Sequence, residues 1–347
     1  MNLNWQEWRD HIRKRPGMYI GSLDFKGFAK LIQGSLPELL LNIQPSRLDC
    51  VFDGKGKGSF CFHKPASSIN NNTATKLHAN IHFALGLLCL NALSERFLIK
   101  GFDKYNKLLF SNIFEEGKLI NGSVDDTLFP CDSLYIEFQL EEGIFHAKTD
   151  WNSTFLLHEI ERLAFFFPKV TIDVQHTTSN KNIVSQFHFP NGLMDMLELE
   201  SIGTISGSYF ANHVILNNPA FSIEIAYAFP EYSMDIPTIR SFVNFEKSPK
   251  HGTHVKGVLK GLKSGLKQYL ENGGLTKKYK RSKKELTKNL LLMIHIQLKE
   301  PIFAGAVKHE LLNEEILQPI SEGVSNSFLN QLEEQAQRTR ELLRGFY

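Results

Sequence analysis

A lysine-rich segment in the second half of the chain carries the clearest chemical signal in the sequence. Residues 247–288 hold thirteen of the 39 basic residues, against three acidic ones when Glu246 is counted. Two sets of basic residues follow one another there: Lys256, Lys260, Lys263 and Lys267, then Lys277, Lys278, Lys280 and Arg281. The first set recurs at steps of four, three and four, which places it on one helix face. We expect this face to contact phosphates of double-stranded DNA without base specificity, although a solvated helix face has the same pattern.

The helix that carries the first set must be stabilised by packing. Its apolar residues fall on a different face from the lysines: Val255, Leu259, Leu262, Leu266 and Leu270. The same helix contains Gly257, Gly261 and Gly265, each of which lowers helix propensity by about 1 kcal/mol relative to alanine. We therefore expect the apolar face to be buried against another element.

Few other residues suggest chemistry on their own. The segment DGKGKG at 53–58 is rich in glycine, but it lacks P-loop spacing and lies between two strand patterns, so we expect a hairpin turn. His82 stands alone in an apolar stretch and indicates a helix residue rather than a catalyst. Glu38 is a weak metal candidate, and a solvated helix carboxylate is the favoured interpretation. The four cysteines form no CxxC pair, so we predict no metal site.

Composition indicates a folded protein of two domains. Hydrophobic residues make up 42% of the 347 residues and charged residues 22%, unlike a disordered chain. No stretch has the length and apolarity of a membrane span, and the first residues do not resemble a signal peptide. The scattered cysteines also differ from those of a secreted scaffold. We therefore expect a cytoplasmic protein.

Hydrophobic periodicity predicts alternating helices and strands, as in an α+β protein. The predicted helices are 5–15, 28–41, 78–93, 153–167, 255–270 and 320–343. The predicted strands are 48–52, 59–62, 96–100, 107–114, 134–140, 170–174, 183–189, 209–216, 222–228, 238–243 and 290–298. Pro16 and the glycines that follow it predict a turn at 18–20, and the polar stretch at 67–75 predicts a loop. A domain boundary is expected between 191 and 205.

Three blocks of sequence carry a family resemblance. IRKRPGMYIGS at 12–22 and NALSE at 91–95 are followed by a third block made of SFVN at 241–244, HGTH at 251–254 and FAGAVK at 303–308. In this order and spacing the blocks resemble the N-terminal half of type IIA DNA topoisomerase B subunits, the family of gyrase B and topoisomerase IV B. The first block is the most specific of the three.

The resemblance implies a GHKL-type (Bergerat) α/β sandwich followed by a transducer domain of the ribosomal protein S5 type. It places the ATPase-like domain at 1–195, the transducer at 196–319 and an exit helix at 320–347. In the family, ATP clamps two such units into a dimer and its hydrolysis times the passage of one DNA duplex through another. The family's metal-binding cleavage domain lies beyond residue 347, so we expect no DNA cleavage by this chain.

Most residues that bind ATP in the family are replaced here. In the simplest alignment the general-base glutamate falls on Gly34 and the Mg²⁺ asparagine on Glu38, and a shift by one gives Ser35 and Leu39. The adenine-binding D-x-G-x-G turn corresponds to CFHKP at 61–65, and the phosphate-binding lid to ANIHFALG at 79–86. The residues that still match are Gly86 of the lid, Ser133, and the transducer lysine, Lys308.

These replacements predict a gyrase-B-like pseudo-ATPase that acts with DNA, a topoisomerase partner subunit, or both. We expect no catalytic residue and no cofactor, with ATP and Mg²⁺ as ligands only if the site still functions. Two alternatives stay open: an active ATP-binding B subunit of an ATP-hydrolysing type II topoisomerase, and a gyrase-mimicking inhibitor or regulator. Enzymatic activity is undecided by the sequence, and a homodimer is an alternative to a partner subunit.

Overall fold

The computed structural model describes residues 5–63, 85–102, 108–120, 134–145, 154–177, 182–201, 210–230, 237–305 and 308–345. The chain divides into two compact units, residues 1–190 and 191–347. The predicted domain boundary, after residue 195, lies five residues beyond this division, and the assignment of the units as ATPase-like and transducer domains stays a prediction. No described helix is both long enough and apolar enough to cross a membrane.

The first unit is a mixed sheet of eight strands with helices against one face. The strands are β1 (Arg47–Phe52), β2 (Lys57–His63), β3 (Ser94–Phe102), β4 (Leu108–Glu115), β5 (Lys118–Ile120), β6 (Leu134–Leu140), β7 (Thr171–Thr177) and β8 (Asn182–Phe187). Their order is β5-β4-β3-β6-β2-β1-β7-β8, and the β1–β7 pair is parallel. The described helices are α1 (Trp5–Lys14), α2 (Pro16–Ile20), α3 (Phe25–Ile43), α4 (Leu85–Ala92) and α5 (Thr154–Ala164).

Alternation along the central strands decides which face of this sheet is covered. Phe52, Phe60 and Phe138 point to one face, where Phe28 of α3 contacts the rings of Phe52 and Phe138. Neighbouring positions such as Asp49 point to the opposite face and are half-buried. The aromatic side chains therefore join α3 to the sheet.

The second unit is a sheet of five strands packed against two long helices. Its strands are β9 (Phe210–Asn218), β10 (Phe221–Phe229), β11 (Thr238–Val243), β12 (Glu246–Lys247) and β13 (Leu291–Leu298), in the order β12-β11-β13-β10-β9. Its helices are α6 (Leu193–Ser201), α7 (Thr253–Asn272), α8 (Tyr279–Lys288), α9 (Leu317–Glu334) and α10 (Ala336–Gly345). One apolar core lies between the sheet and α7 and α9.

The structure corrects two sequence predictions. Residues 16–20 form the short helix α2 rather than a turn, because Pro16 occupies a first helical position, where its fixed φ and missing N–H are favourable. The terminal segment is two helices rather than one, with the break at Gln335. The sequence also predicts a polar helix at 320–343, but the first of the two helices, α9, buries Ile320, Val324 and Phe328 in the core. The predicted loop at 67–75 lies outside the described residues.

The glycines of α7 explain how that helix is held. A Cβ added at Gly261 would lie 2.7 Å from both the carbonyl oxygen of Ser321 and Cβ of Val324. Gly257 and Gly265 approach α9 in the same way, one turn to each side. The weak intrinsic helix propensity of α7 is therefore offset by close packing on α9, as the sequence predicts.

Candidate nucleotide and nucleic-acid sites

Gly34, the expected general-base position, lies at a helix crossing. A Cβ added at Gly34 would lie 3.3 Å from Cα of Gly86 in α4, and one added at Gly86 would lie 2.1 Å from the carbonyl carbon of Gly34. The two glycines thus allow the backbones of α3 and α4 to touch. Gly86, the matching lid glycine, therefore lacks a side chain at a point where the two helices pack closely.

Glu38 lies one turn after Gly34 on the same face of α3. It is half-buried, and burial raises the pKa of its carboxyl group. Pro37, immediately before it, is buried inside the helix and has no N–H to donate to the preceding turn. The family spacing E-x-x-x-N occurs here at Glu38 and Asn42, a pair that the sequence prediction missed. Asn42 is exposed, and its side-chain nitrogen donates to the Glu38 carbonyl at 2.8 Å.

The end of β2 takes the place of the adenine-binding turn. Phe62 is fully buried on the face that α3 covers, whereas Cys61 and His63 point to the opposite face. His63 Nε2 lies 2.9 Å from Asp49 Oδ2. The segment therefore offers no carboxylate of its own on either face. The remaining residues of the expected turn, 64 and 65, lie outside the described structure.

Lys308 and Ser133 are the two other residues that match the family. Lys308 is exposed, with a positive φ of 55°, in the loop that leads from β13 to α9. Ser133 and the lid residues 79–84, including His82, lie outside the described residues. The nucleotide-binding role of Lys308, Gly86 and Ser133 stays a prediction.

The predicted cationic face of α7 is partly neutralised by its own unit. Lys256 Nζ lies 3.7 Å from a Glu310 carboxylate oxygen, and Lys267 Nζ lies 3.5 Å from one of Glu271. Lys260 donates to Gln318 at 2.9 Å. Three of the four lysines therefore contact acceptors within the second unit.

The fourth lysine of α7, Lys263, lies close to the charge of Lys283 on α8. Burial lowers the pKa of Lys263, and the charge of Lys283 on α8 lowers it further. A short 3₁₀ turn at Thr276–Lys278 and helix α8 carry Lys277, Lys278, Lys280 and Arg281, whose side chains are exposed. The second basic set therefore lies on the turn and helix that directly follow α7.

The HGTH segment at 251–254 leads into α7, which begins at Thr253. Gly252, with φ 129°, contacts Leu311 so closely that an added Cβ would lie 2.1 Å from the Leu311 carbonyl oxygen. His254 is fully buried, and neither ring nitrogen has a hydrogen-bond partner among the described residues. Burial lowers the pKa of His254 to about 3, with a smaller contribution from His251. This histidine is therefore a neutral core residue.

The sequence model of the family described as DNA gyrase B matches residues 170–346, just over half of the chain. The chain belongs to the DNA gyrase B family. Curated relatives include the B subunit of DNA gyrase from Campylobacter jejuni, 25% identical over 86% of this chain and 41% of its own length. The B subunit of DNA topoisomerase 4 from Caulobacter vibrioides is 26% identical over 89% of this chain and 49% of its own. The chain thus spans about half the length of these relatives.

Solved structures of the gyrase B family have the same fold. The 43K ATPase domain of Thermus thermophilus gyrase B, solved with an aminocoumarin, aligns with a TM-score of 0.80 at 16% identity, over 97% of this chain and 93% of that one. The gyrase B protein of Myxococcus xanthus aligns with a TM-score of 0.76 at 17% identity, over 97% of this chain and 99% of that one. The chain is an α+β protein with the fold of gyrase B ATPase regions, as the sequence predicts.

Proposed function

We propose that this chain is a gyrase-B-type pseudo-ATPase module that acts with double-stranded DNA and a topoisomerase partner subunit, without efficient ATP hydrolysis. The observation that carries this proposal is the contact between Gly34 and Gly86. In this fold, hydrolysis needs a carboxylate that activates water and, one helical turn later, a group that holds Mg²⁺. At the aligned position α3 presents a glycine whose open side is closed by α4.

The lid glycine supports the same conclusion. Backbone N–H groups can approach a triphosphate closely only where glycine leaves room for it. In this chain the space beside Gly86 is filled by the Gly34 carbonyl group. Gly86 is therefore explained by helix packing without a phosphate ligand.

The replaced adenine-binding segment supports it further. Reading the exocyclic amine of adenine requires a hydrogen-bond acceptor such as a carboxylate. Phe62 offers none, and His63 Nε2 faces the Asp49 carboxylate. Losses at the base, lid and adenine positions together are hard to reconcile with efficient turnover.

DNA contact is the positive part of the proposal. An exposed Lys or Arg that meets a phosphate releases counterions, and binding of this kind weakens steeply with salt. Because Lys256 and Lys267 are paired with carboxylates, we assign the larger share of phosphate contact to Lys277 in the 3₁₀ turn and Lys280 in α8. Binding of this type is independent of base sequence.

A second candidate function, an active ATP-binding subunit, is favoured by Glu38. A half-buried carboxyl group whose pKa is raised by burial has the character of a general base. In this alternative Glu38 would activate water and a neighbouring polar group would hold Mg²⁺. Hydrolysis abolished by Glu38→Gln would establish this alternative.

The deciding experiment measures ATP hydrolysis and nucleotide binding by the full chain. We expect no turnover above background, and no heat of binding with a non-hydrolysable ATP analogue and Mg²⁺ in calorimetry. Sedimentation in the same buffers tests for a nucleotide-dependent dimer. Turnover that Glu38→Gln removes, or dimer formation driven by the analogue, would overturn the pseudo-ATPase proposal.

Partner choice needs a separate measurement. Pull-down with purified topoisomerase A and B subunits identifies the partner. A supercoiling assay with the bound subunits then distinguishes a module that joins a working enzyme from one that occupies its partner's site. Binding that leaves supercoiling activity intact or raises it supports the proposal. Binding that inhibits the activity would instead support a gyrase-mimicking regulator.

A further inference from the structure

Three side chains with metal-binding atoms meet on the face of the first sheet opposite α3. Asp49 of β1 pairs directly with Cys61 of β2, and His63 follows two residues later on the same face. One ligand atom from each residue lies within 4.8 Å of the other two. Cys61 is buried, whereas Asp49 and His63 are half-buried. The hairpin register, with the turn at 53–56, creates this cluster.

We propose that Asp49, Cys61 and His63 form a binding site for a divalent metal ion of the zinc type. Thiolate, imidazole and carboxylate together are a ligand set that Zn²⁺ accepts in tetrahedral geometry. Mg²⁺ and Ca²⁺ prefer sites made of oxygen ligands, and here only Asp49 supplies oxygen. Three protein ligands leave the fourth position to water, so the ion is held near the sheet surface.

The local charges suit a dication. The Asp49 carboxylate and a Cys61 thiolate together supply two negative charges, which balance Zn²⁺ when His63 is neutral. The neighbouring cation, Arg47, contacts Asp49, and its charge is offset by a second carboxylate, since its Nε also lies 2.9 Å from Asp173 Oδ2. The bound ion would therefore leave no uncompensated charge in the cluster.

Arg47 also orients the carboxylate. Its Nε donates to Asp49 Oδ1 at 2.7 Å, which leaves Oδ2 directed at His63 Nε2, 2.9 Å away. Tetrahedral Zn²⁺ with ordinary bond lengths separates two such ligand atoms by about 3.4 Å. A small outward rotation of His63, roughly 0.5 Å at Nε2, opens the space. Outer-shell hydrogen bonds of the Arg47 kind raise metal affinity by fixing ligand orientation.

The test is metal titration of the full chain after treatment with a chelator. Co²⁺ serves as the spectroscopic probe, because a thiolate ligand gives a sulfur-to-metal charge-transfer band and tetrahedral geometry gives strong visible absorption. Zn²⁺ competes for the same site and is followed by calorimetry. We expect one Co²⁺ per chain, with the charge-transfer band, displaced by one Zn²⁺.

Variants locate the site. Cys61→Ser should remove the charge-transfer band, and His63→Gln should weaken Co²⁺ binding at least tenfold. Cys50→Ser is the matched control, because Cys50 lies on the same hairpin but is fully buried on the opposite face; it should leave the band unchanged. Far-ultraviolet circular dichroism establishes that each variant is folded. If Cys61→Ser fails to fold, His63→Gln still tests the site, because the His63 side chain is only half-buried. A wild-type chain without stoichiometric binding, or a band that persists in Cys61→Ser, would overturn the proposal.

Discussion

Gly34 of α3 and Gly86 of α4 touch through their backbones, so closely that a methyl group on Gly86 would lie 2.1 Å from the Gly34 carbonyl carbon. The sequence resemblance predicts that these two positions correspond to different parts of one ATP site, the general base and the lid. Here they belong to one packing contact. A single helix crossing thus accounts for the absence of a side chain at both positions.

Gly86→Ala should destabilise the first unit strongly. The added methyl group overlaps backbone rather than a flexible side chain, so the helices must separate, and we expect a loss of about 3 kcal/mol, the upper end of overpacking costs. All three tryptophans belong to this unit, so urea unfolding followed by tryptophan fluorescence measures the effect. Gly17→Ala in α2 is the control, because nothing lies within 4 Å of its added Cβ. Equal stability of the Gly86→Ala and Gly17→Ala proteins would contradict the contact.

Gly261→Ala should destabilise the second unit. Alanine gains about 1 kcal/mol of helix propensity over glycine. Overpacking against the Ser321 carbonyl oxygen and Val324, both 2.7 Å from the added Cβ, costs about 1–3 kcal/mol. We expect the clash to outweigh the propensity gain, and thermal unfolding followed by circular dichroism measures the balance.

Ser264→Ala is the matched control for Gly261→Ala in the same helix. Ser264 is half-buried, and alanine has the higher helix propensity. This substitution should therefore be neutral or slightly stabilising. A Gly261→Ala protein more stable than the natural chain would show that α7 and α9 pack less closely than the structure indicates.

The elements of the fold follow largely from local sequence pattern. Strands β1, β6 and β13 were predicted within a residue of their observed bounds, because alternating or continuous apolar residues mark strands that pack on a core. The sequence does not predict the short helix α2, because proline followed by glycine is typical of a turn. Proline is equally typical of a first helical position, which Pro16 occupies here. Helix α8 was missed because its composition is almost entirely polar and gives no apolar stripe.

The sites were less predictable, because their geometry depends on residues distant in sequence. Nothing local to Gly34 indicates that Gly86 closes its open side. The pairing of Lys256 with Glu310 and of Lys260 with Gln318 likewise depends on how later segments pack on α7. The proximity of Asp49, Cys61 and His63 could have been predicted from the sequence, because all three lie on one predicted hairpin. The hairpin turn sets its register, but ligands on adjacent strands form no CxxC pair in the sequence.

Removal of unpaired basic residues should reduce DNA binding more than removal of paired ones. The double variant Lys277→Ala and Lys280→Ala removes two exposed charges that have no ion-pair partner among the described residues. Affinity falls with salt, and each lost phosphate contact makes the slope of log affinity against log salt less steep by about 1. We therefore expect the magnitude of the slope to decrease by about 2. Fluorescence anisotropy with a short duplex at several salt concentrations measures the slope.

The charge-matched control removes Lys256 and Lys267, which are paired with carboxylates. It should change the slope by less than the Lys277 and Lys280 variant, although the net charge change is the same. A larger effect from the control would move the main DNA contact to the face of α7. Two variants that both bind as the natural chain does would remove DNA from the proposed function.

His254 should make the second unit less stable in mild acid. Burial lowers its pKa in the folded state to about 3, whereas an exposed histidine has a pKa of about 6.5. Below that higher pKa the unfolded chain therefore binds a proton that the folded chain does not, and stability falls as the pH decreases toward about 3. The free energy of unfolding then falls by up to about 1.4 kcal/mol per pH unit, which amounts to about 2 kcal/mol between pH 8 and pH 5.

The variant His254→Leu tests this prediction. Since neither ring nitrogen has a described partner, His254→Leu should abolish this share of the pH dependence and leave that of His251, whose pKa burial also lowers. Hydrogen exchange of the β13 amides, corrected for the pH dependence of intrinsic exchange, measures the stability of this unit in both proteins. Parallel pH profiles for the natural chain and His254→Leu would mean that His254 is protonated or solvated in the folded state.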